Sequence, residues 1–529
     1  MTLCDPTSPA TQDILRAFVS ALAQRGFGSD ILTTVLGPEG YAAMLAGNPA
    51  GAVWAVDHGD YAPDSVEYTC VAGVVLRRDL PQDQWRGIYG DVDGLLAAGV
   101  LEASPTDATR AHITVDIRPV AARGTESAEV LIVSDQDSSM TARTPAPNHV
   151  PGVGNAPLSL LSVLPPVSDA QRAGSPPLRV LDLGTGSGVL ATVLATSHSA
   201  VEVTATDISS RALGFARCAF PQHASIDWVE GSWFEPVEGQ LFDLIVSNPP
   251  FVIGPDCGLS YRETPLDFDG ASRLVVEQAA QHLANHGTAH LLAAWALTEA
   301  DSAASKVTGW IPGEDIRAWV VQRDLVDITT YVHTWLTDEG IDTRSSEGIK
   351  RTADWLDYFM GAGITHIGMG YVHMKRTTGT SSEVTFEVMD QALQPGTFLG
   401  HETREWFARA EWLDRQDAHS VLDTQYAARP TLALEHVSVS DGDLGVGFKD
   451  YALRLSRTDG PAWSHEVDQH VAAIVKGINP DGLTLRDIAE LYAAVNGLDG
   501  DAFTEALAPI VVDLVRHGLI LPADIVEEL

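Results

Sequence analysis

Apolar residues recur at helical spacing near the start of the chain. In TQDILRAFVSALAQR (11–25), Ile14, Leu15, Phe18 and Leu22 fall on one face. Further helical stretches follow at 38–46 and about 92–98, and DVDGLLAAGVLEAS then AHITVDIRPV reads as a helix, a glycine end and a short hairpin. This order predicts an α+β, winged-helix-like domain over 1–140. EVLIVSD (129–135) is a strand leading into the polar, proline-rich stretch SSMTARTPAPNHVPGVGNAP, and PPVSDAQRAGSPP (165–177) is a second such stretch.

The clearest pattern comes next. RVLDL (179–183), VEVTATD (201–207), SIDWVEG (225–231) and FDLIVSNPP (242–250) are short apolar runs, and helical periodicity separates the first three, at 188–196 and 209–218. A helix over 271–285 and a strand over 288–295 extend the alternation. IRAWVVQR (316–323) and ITHIGMGYVHMKRT (364–377) add two more strands. Alternation of this length predicts a doubly wound, seven-stranded, Rossmann-like α/β sheet over 148–377. The roughly forty residues between its last two strands are mostly helical, so a helical insertion is expected at about 328–362. Residues 378–460 read as a mixed segment, with TLALEHVSVSDG and YALRLSRTDG as strands. Residues 461–529 hold three helices, VDQHVAAIVKGI, LTLRDIAELYAAV and DAFTEALAPIVVDLVRHG, closed by LILP, a second winged-helix-like domain.

Composition narrows the partners. The 529 residues suffice for about three or four domains. Asp and Glu number 71 against 33 Lys and Arg, a formal charge of −38. That surplus excludes a simple polyanion binder, which needs a basic surface. Arg77, Arg78 and Arg86 lie close enough in sequence for a local basic strip, although ordinary surface arginines are the plainer reading. The four cysteines, at 4, 70, 218 and 257, form no CxxC pair and no zinc-finger spacing, so no metal is expected and a reducing cytoplasm is. MTLCDPTSPATQD lacks the basic and apolar regions of a signal peptide, and no uncharged apolar run reaches the roughly 18 residues of a spanning helix, so no membrane association is expected.

Chemistry concentrates at three strand ends. In VLDLGTGSGVLA (180–191) a strand ends, glycines turn and a helix begins; Gly184, Gly186 and Gly188 allow a ligand close to the backbone. Val189 stands where a dinucleotide fold needs its third glycine, and Asp182 precedes the turn, so a nicotinamide cofactor is disfavoured. Asp207 ends the next strand, where a carboxylate can accept ribose hydroxyls; Ser209 is the candidate cap of the following helix. FDLIVSNPPFV puts Asn248, Pro249, Pro250 and Phe251 at a strand's C-terminal end, where open α/β sheets bind ligands. The prolines fix the backbone and leave carbonyls free to accept, Asn248 adds a side-chain carbonyl, and Phe251 offers a flat face. Together they suit a planar –NH2 group.

With these residues the chain resembles class I S-adenosylmethionine-dependent N-methyltransferases, strongly over 150–300 and extending to about 377. The resemblance implies that Asp182, Gly184, Thr185, Gly186 and Gly188 form the loop around the cofactor's methionine end, that Asp207 holds the ribose, with Ile208 also binding the cofactor, and that Asn248 to Phe251 form the catalytic corner, with Asn248 also touching S-adenosyl-L-methionine. GSWF (231–234) followed by FDLIVSNPPF is similar to the glutamine-N5 methyltransferases of peptide release factors, which implies Ser232 and Trp233 beside adenine. Ser232 replaces the Asp usual in that family, and Phe251 replaces its Tyr, keeping the stacking face without the phenol. GVGNAPLSLL (152–161) sits where ribosomal-RNA guanine-N2 methyltransferases carry a cofactor-enclosing segment, with Gly154 and Asn155 the nearest matches.

The expected reaction is methylation of a planar NH2 nitrogen of a macromolecule in the translation apparatus, with a protein glutamine amide ahead of an RNA or DNA base amine. A small-molecule acceptor and a non-catalytic cofactor-binding scaffold are the other readings. The flanking domains could serve as dimerisation units. YRETPLDFDG (261–270) offers Glu263, Asp267 and Asp269 as possible substrate contacts, with a solvated loop the plainer role. His286 and His290 read as surface or strand-end histidines.

Overall fold

The computed structural model describes residues 4–45, 47–122, 128–140, 146–166, 176–198, 200–223, 225–255, 266–379, 381–389, 397–442 and 445–526. Contacts divide the chain into two compact units, residues 1–161 with 167–388, and 162–166 with 389–529. These boundaries differ from the expected breaks near 140 and 377.

The first unit is built on a mixed sheet of eight strands: β1 Leu178–Leu183, β2 Val201–Asp207, β3 Ile226–Glu230, β4 Phe242–Ser247, β5 Leu283–Thr298, β6 Ile316–Asp327, β7 Ile364–Arg376 and β8 Glu383–Val388. Their order is β8-β6-β7-β5-β4-β1-β2-β3. Only β7 runs against its neighbours. The chain leaves β1 outward to β2 and β3, then returns to the other side for β4. The resulting switch point between β1 and β4 opens a crevice at the strand C-termini.

Seven strands were expected, and β8 is the addition. EVTFEV alternates: Val384 and Phe386 pack against the core while Glu383 and Glu387 reach the opposite face. There Glu387 accepts from the Trp319 indole N–H at 2.6 Å, and Glu383 pairs with Arg317 at 3.1 Å.

The central strand β5 separates two cores by side-chain alternation. Leu291, Ala293, Trp295 and Leu297 enter one, with Val275 and Val276 of helix Gly270–Gln281. Ala294 and Ala296 enter the other, beneath the two helices of the insertion, α1 Ile328–Asp338 and α2 Ser346–Gly361. Asp327 caps α1 by accepting from Thr329 and Thr330 N–H, and Ser345 caps α2.

The N-terminal segment is not a separate body. Its helices, including Pro9–Gln24, and its small sheet of Leu80–Pro81, Arg110–Ile113 and Leu101–Ala103 share one core with Ala212, Phe215 and Cys218. Those three lie on and just after the helix Ser210–Ala216, which Ser209 caps. Arg211 fastens the same helix to Asp135 at 2.6 Å. The arginines that might have formed a basic strip are each paired: Arg77 with Asp116 and Asp137, Arg78 with Asp57, Arg86 with Asp83. The buried Arg77 serves structure, and the three together offer no unopposed positive charge.

Histidine 290 is not at a surface or strand end. It lies mid-sheet, fully buried, with its Nδ1 2.9 Å from Nδ1 of His373 across the β5–β7 ladder. Burial pushes His290 down to about 3, and burial and then His290 drive His373 well below the usual range. Unfolded histidines titrate near 6.5. Below that pH the unfolded chain binds protons that the folded chain refuses. Stability is therefore full above about pH 6.5 and declines as pH falls toward 3, by about 1.4 kcal/mol per pH unit for each histidine. Urea midpoints measured from pH 7 to 4 should fall steeply for the natural chain and less for the His290→Gln/His373→Gln variant; parallel curves would refute this account.

The second unit carries helix Gly400–Leu413, a sheet of Leu432–Ser440, Phe448–Arg457 and Ser464–Val467, and the three expected C-terminal helices, Gln469–Gly477, Leu485–Asn496 and Gly500–Arg516. Local signals set the middle helix: Thr484 and Asp487 form a capping box, and Gly497 ends it in a left-handed conformation. Glu402, Arg409 and Arg457 form a buried ion cluster inside this unit.

Among the described residues no helix is long and apolar enough to cross a membrane, and no group of three or more His, Cys, Asp or Glu is placed to hold a metal ion.

Candidate active site

A cavity of about 810 Å³ opens at the C-terminal ends of β1, β2 and β4, within the range of small-ligand sites. Gly184, Thr185 and Gly186 line it after β1, Asp207 and Ile208 after β2, Ser232 and Trp233 after β3, and Asn248 to Phe251 after β4.

The glycine turn divides by role. Gly184 (φ +69°) and Gly186 (φ +57°) adopt left-handed conformations, and a Cβ on either would meet no protein atom within 4 Å. Both line the cavity, so a side chain there would take ligand space. Gly188 (φ +82°) does not line it: a Cβ would lie 2.9 Å from Ala216 Cβ and from the Trp228 ring. It is a packing glycine at the N-cap of the helix Val189–Ser197, a correction to its expected place at the cofactor. Two variants separate these roles. Gly188→Ala should cost about 2–4 kcal/mol of stability, from strain and overpacking. Gly186→Ala should cost about 1–2 kcal/mol but lower cofactor affinity more. Thermal unfolding with calorimetric titration would show the difference, and equal effects of both variants would contradict it.

Asp182 is also a support rather than a lining residue. It is completely buried, and its Oδ2 accepts from Thr185 Oγ1 at 2.5 Å and Ala191 N–H at 2.9 Å, tying the turn to the helix that follows. Burial pushes its carboxyl up to about 7, against the lowering effect of these two donors.

Asp207 uses both oxygens. Oδ2 accepts Gly186 N–H and Oδ1 accepts Ser209 N–H, each at 2.8 Å. Burial raises its pKa, while the backbone donors act to lower it. Each oxygen keeps a second lone pair for a ligand hydroxyl. Ile208 beside it is 69% exposed, a large apolar side chain at the cavity wall. Trp233, with φ +47°, is a non-glycine residue in left-handed backbone at the same cavity, strain of the kind found at ligand sites.

Asn248 carries the sharpest signal. Its Oδ1 is buried and has no hydrogen-bond partner among the described residues, and leaving such an acceptor unmet costs about 1–3 kcal/mol. The loop behind it is held from the insertion: Tyr331 Oη accepts Ile253 N–H at 2.8 Å, and Gly254 lies against the Trp355 ring, where a Cβ would approach to 2.6 Å. Trp335 stands edge-on to Phe251, with centroids 6.5 Å apart.

The insertion supplies site residues that the sequence reading did not assign. Tyr331, Thr334, Trp335 and Asp338 of α1 line the cavity, as do Arg323 and Asp324 of β6. The aromatic pair spaced four apart in DITTYVHTWLTDEG was the available signal. Gly154 and Asn155 also line the cavity. Asp269 does not: it accepts Ala296 N–H at 3.0 Å and pairs with Lys306 at 2.8 Å. Asp267 is exposed, and Glu263 lies outside the described residues.

The fold and the site are similar to those of the S-adenosylmethionine-dependent methyltransferases. The residues fit that cofactor, with two glycines whose Cβ would intrude, a half-buried carboxylate for ribose, and apolar wall residues near it. Comparison with known proteins agrees. Residues 170–302 match the family described as methyltransferase small domain, and residues 404–522 match a domain of unknown function, DUF7782. The release factor glutamine methyltransferase of Aliivibrio fischeri is 31% identical over 159 residues, 28% of this chain and 52% of that protein. That of Xylella fastidiosa strain Temecula1 is 35% identical over 159 residues, 29% of this chain and 54% of that protein. The chain thus spans about half the length of these curated relatives. Among solved structures, the T. thermophilus 16S rRNA N2 G1207 methyltransferase in complex with AdoMet and guanosine is 18% identical, with TM-score 0.24, over 43% of this chain and 61% of that one.

Proposed function

We propose that this chain methylates a planar NH2 nitrogen of a macromolecule, and that the acceptor is a glutamine side-chain amide of a protein in the translation apparatus. The buried, unpartnered Asn248 Oδ1 at the end of β4 carries this reading. The likeness of the domain to glutamine methyltransferases supports the amide, and so does the pairing of Arg77, Arg78 and Arg86 with aspartates.

The cofactor, when bound, supplies a methyl group on a positively charged sulfur. Gly184, Thr185 and Gly186 would lie along its methionine end, Asp207 would accept the ribose hydroxyls, and Ile208, Ser232 and Trp233 would flank adenine.

The obstacle lies in the acceptor, whose nitrogen lone pair is delocalised into the carbonyl. Asn248 Oδ1 accepts one N–H and the Pro249 carbonyl the other, which moves electron density back onto nitrogen and fixes its orientation. Pro250 keeps this corner rigid, so the acceptors need no reorganisation. Phe251 stacks on the amide plane. The proton left on nitrogen after transfer is strongly acidic and departs to water, so no general base is required.

A nucleobase amine is the second reading, favoured by the N-terminal arrangement of helices and a small antiparallel sheet. Labelled S-adenosylmethionine added to cell extract, followed by RNase or protease, tests both. Label released by protease alone is expected; label released by RNase alone would overturn the amide.

A further inference from the structure

We infer that Arg323 is an acceptor-binding residue, whose guanidinium donates to a main-chain carbonyl beside the target glutamine; this rests on the amide reading above. The cavity has a half that the cofactor residues do not use. Gly184, Gly186 and Asp207 stand on the β1–β2 side of Asn248. Leu292 and Ala293 of β5, Met369 and Gly370 of β7, and Arg323 and Asp324 of β6 line the other side.

A β-bulge sets Arg323 there. Strands β6 and β7 pair Gln322 with Gly370 and Asp324 with Met369, so Arg323 is an extra residue in β6. Bulges of this kind re-aim a side chain and recur beside active sites. Gly370 makes the room: a Cβ on it would strike the Val321 carbonyl oxygen and lie 3.1 Å from the Arg323 backbone nitrogen.

The register brings Arg323 level with the catalytic corner. Ser247, just before Asn248, pairs with Leu291. The next residue of β5, Leu292, pairs with Tyr371, and Tyr371 pairs with Val321, two residues before Arg323. Asn248 and Arg323 thus stand at neighbouring levels of the sheet, three strand spacings or about 14 Å apart. An arginine side chain spans much of that gap. The two methylenes between a glutamine amide and its main chain suit the remainder.

The chemistry of the pair points to a neutral oxygen. Arg323 Nε donates to Asp324 Oδ2 at 2.5 Å, and Tyr371 lies beside the same group. A guanidinium has five N–H donors, so donors remain on Nη1 and Nη2. The side chain is 33% exposed and lines the cavity. With Asp324 holding it, the guanidinium brings directed donors and little net charge, which favours a peptide carbonyl over a phosphate.

The test uses the full chain, labelled S-adenosylmethionine and a cell extract split into an RNase-treated protein fraction and a protease-treated RNA fraction. Arg323→Ala should raise the half-saturating concentration of the protein fraction about tenfold or more, with the maximal rate nearly unchanged. Calorimetric cofactor affinity should hold, which also verifies folding. Arg323→Ala/Asp324→Asn should remain as defective as Arg323→Ala. Recovery in that double variant would mean that Arg323 only neutralises Asp324, and the inference falls. An unchanged half-saturating concentration in Arg323→Ala would also overturn it and leave the amide reading standing. Weakened cofactor binding would assign Arg323 to the cofactor end instead. Label in the RNA fraction alone, or in neither fraction, would sink the amide reading and this inference with it.

Discussion

Asn248→Ala should lower kcat/KM for methyl transfer about 10³-fold while cofactor affinity changes little. The substitution removes a cavity-lining side-chain acceptor that is buried and unmet among the described residues. Single preset polar groups at reacting centres contribute about 10²–10³ in rate. Loss of orientation adds to that, because the amide could then turn about its single bond. The fall should lie in kcat, since the interaction strengthens as nitrogen gains positive charge. Asn248→Asp keeps an acceptor at the same place and should retain more activity than alanine. Folding should be intact or slightly improved, because an orphaned buried acceptor is gone. Single-turnover transfer with calorimetric cofactor binding would check this. Near-normal turnover by the alanine variant would mean that the corner does something other than hold the acceptor.

Asp207→Ala should raise the cofactor Kd about 10²–10³-fold. Hydrogen bonds to a charged group contribute about 1.5–3 kcal/mol each, and a ribose offers two hydroxyls. The same carboxylate organises the turn, since Oδ2 holds Gly186 N–H and Oδ1 holds Ser209 N–H. The variant should therefore also lose about 1–3 kcal/mol of stability without any ligand. Asp207→Asn keeps one acceptor oxygen and should fall between. Cofactor titration by calorimetry, beside urea unfolding of the ligand-free protein, separates the two losses. An unchanged Kd would remove Asp207 from the cofactor site.

Local patterns made the sheet and most of the site legible. Strands β1 to β4 are short apolar runs bounded by turn residues, and the glycine turn, Asp207 and Asn-Pro-Pro-Phe each sit within a few residues of a strand end. The errors share one physical cause, partners distant in sequence. Asp269 looked available because its donor, Ala296 N–H, lies 27 residues away. The partners of Arg77 and Arg78 lie 60, 39 and 21 residues away. His290 falls near the start of the strand predicted at 288–295, whereas β5 runs from Leu283 to Thr298 and pairs with β7 from Thr288 to Thr298. Gly188 and Asp182 sit in the expected loop, but which glycine faces a ligand and which faces Trp228 depends on packing. The insertion was visible as helices, yet its inward face was not, because a helix with aromatics at 331 and 335 gives no sign of what they cover.

The insertion enters between β6 and β7, two neighbouring antiparallel strands, and leaves where it entered. The machinery around Asp207 and Asn248 was complete some eighty residues earlier in the chain. A segment attached in this way can be lengthened, shortened or replaced by another without rethreading the sheet. Descendants of one ancestral enzyme could therefore acquire new acceptors by exchanging a single cassette, and a protein engineer could do the same.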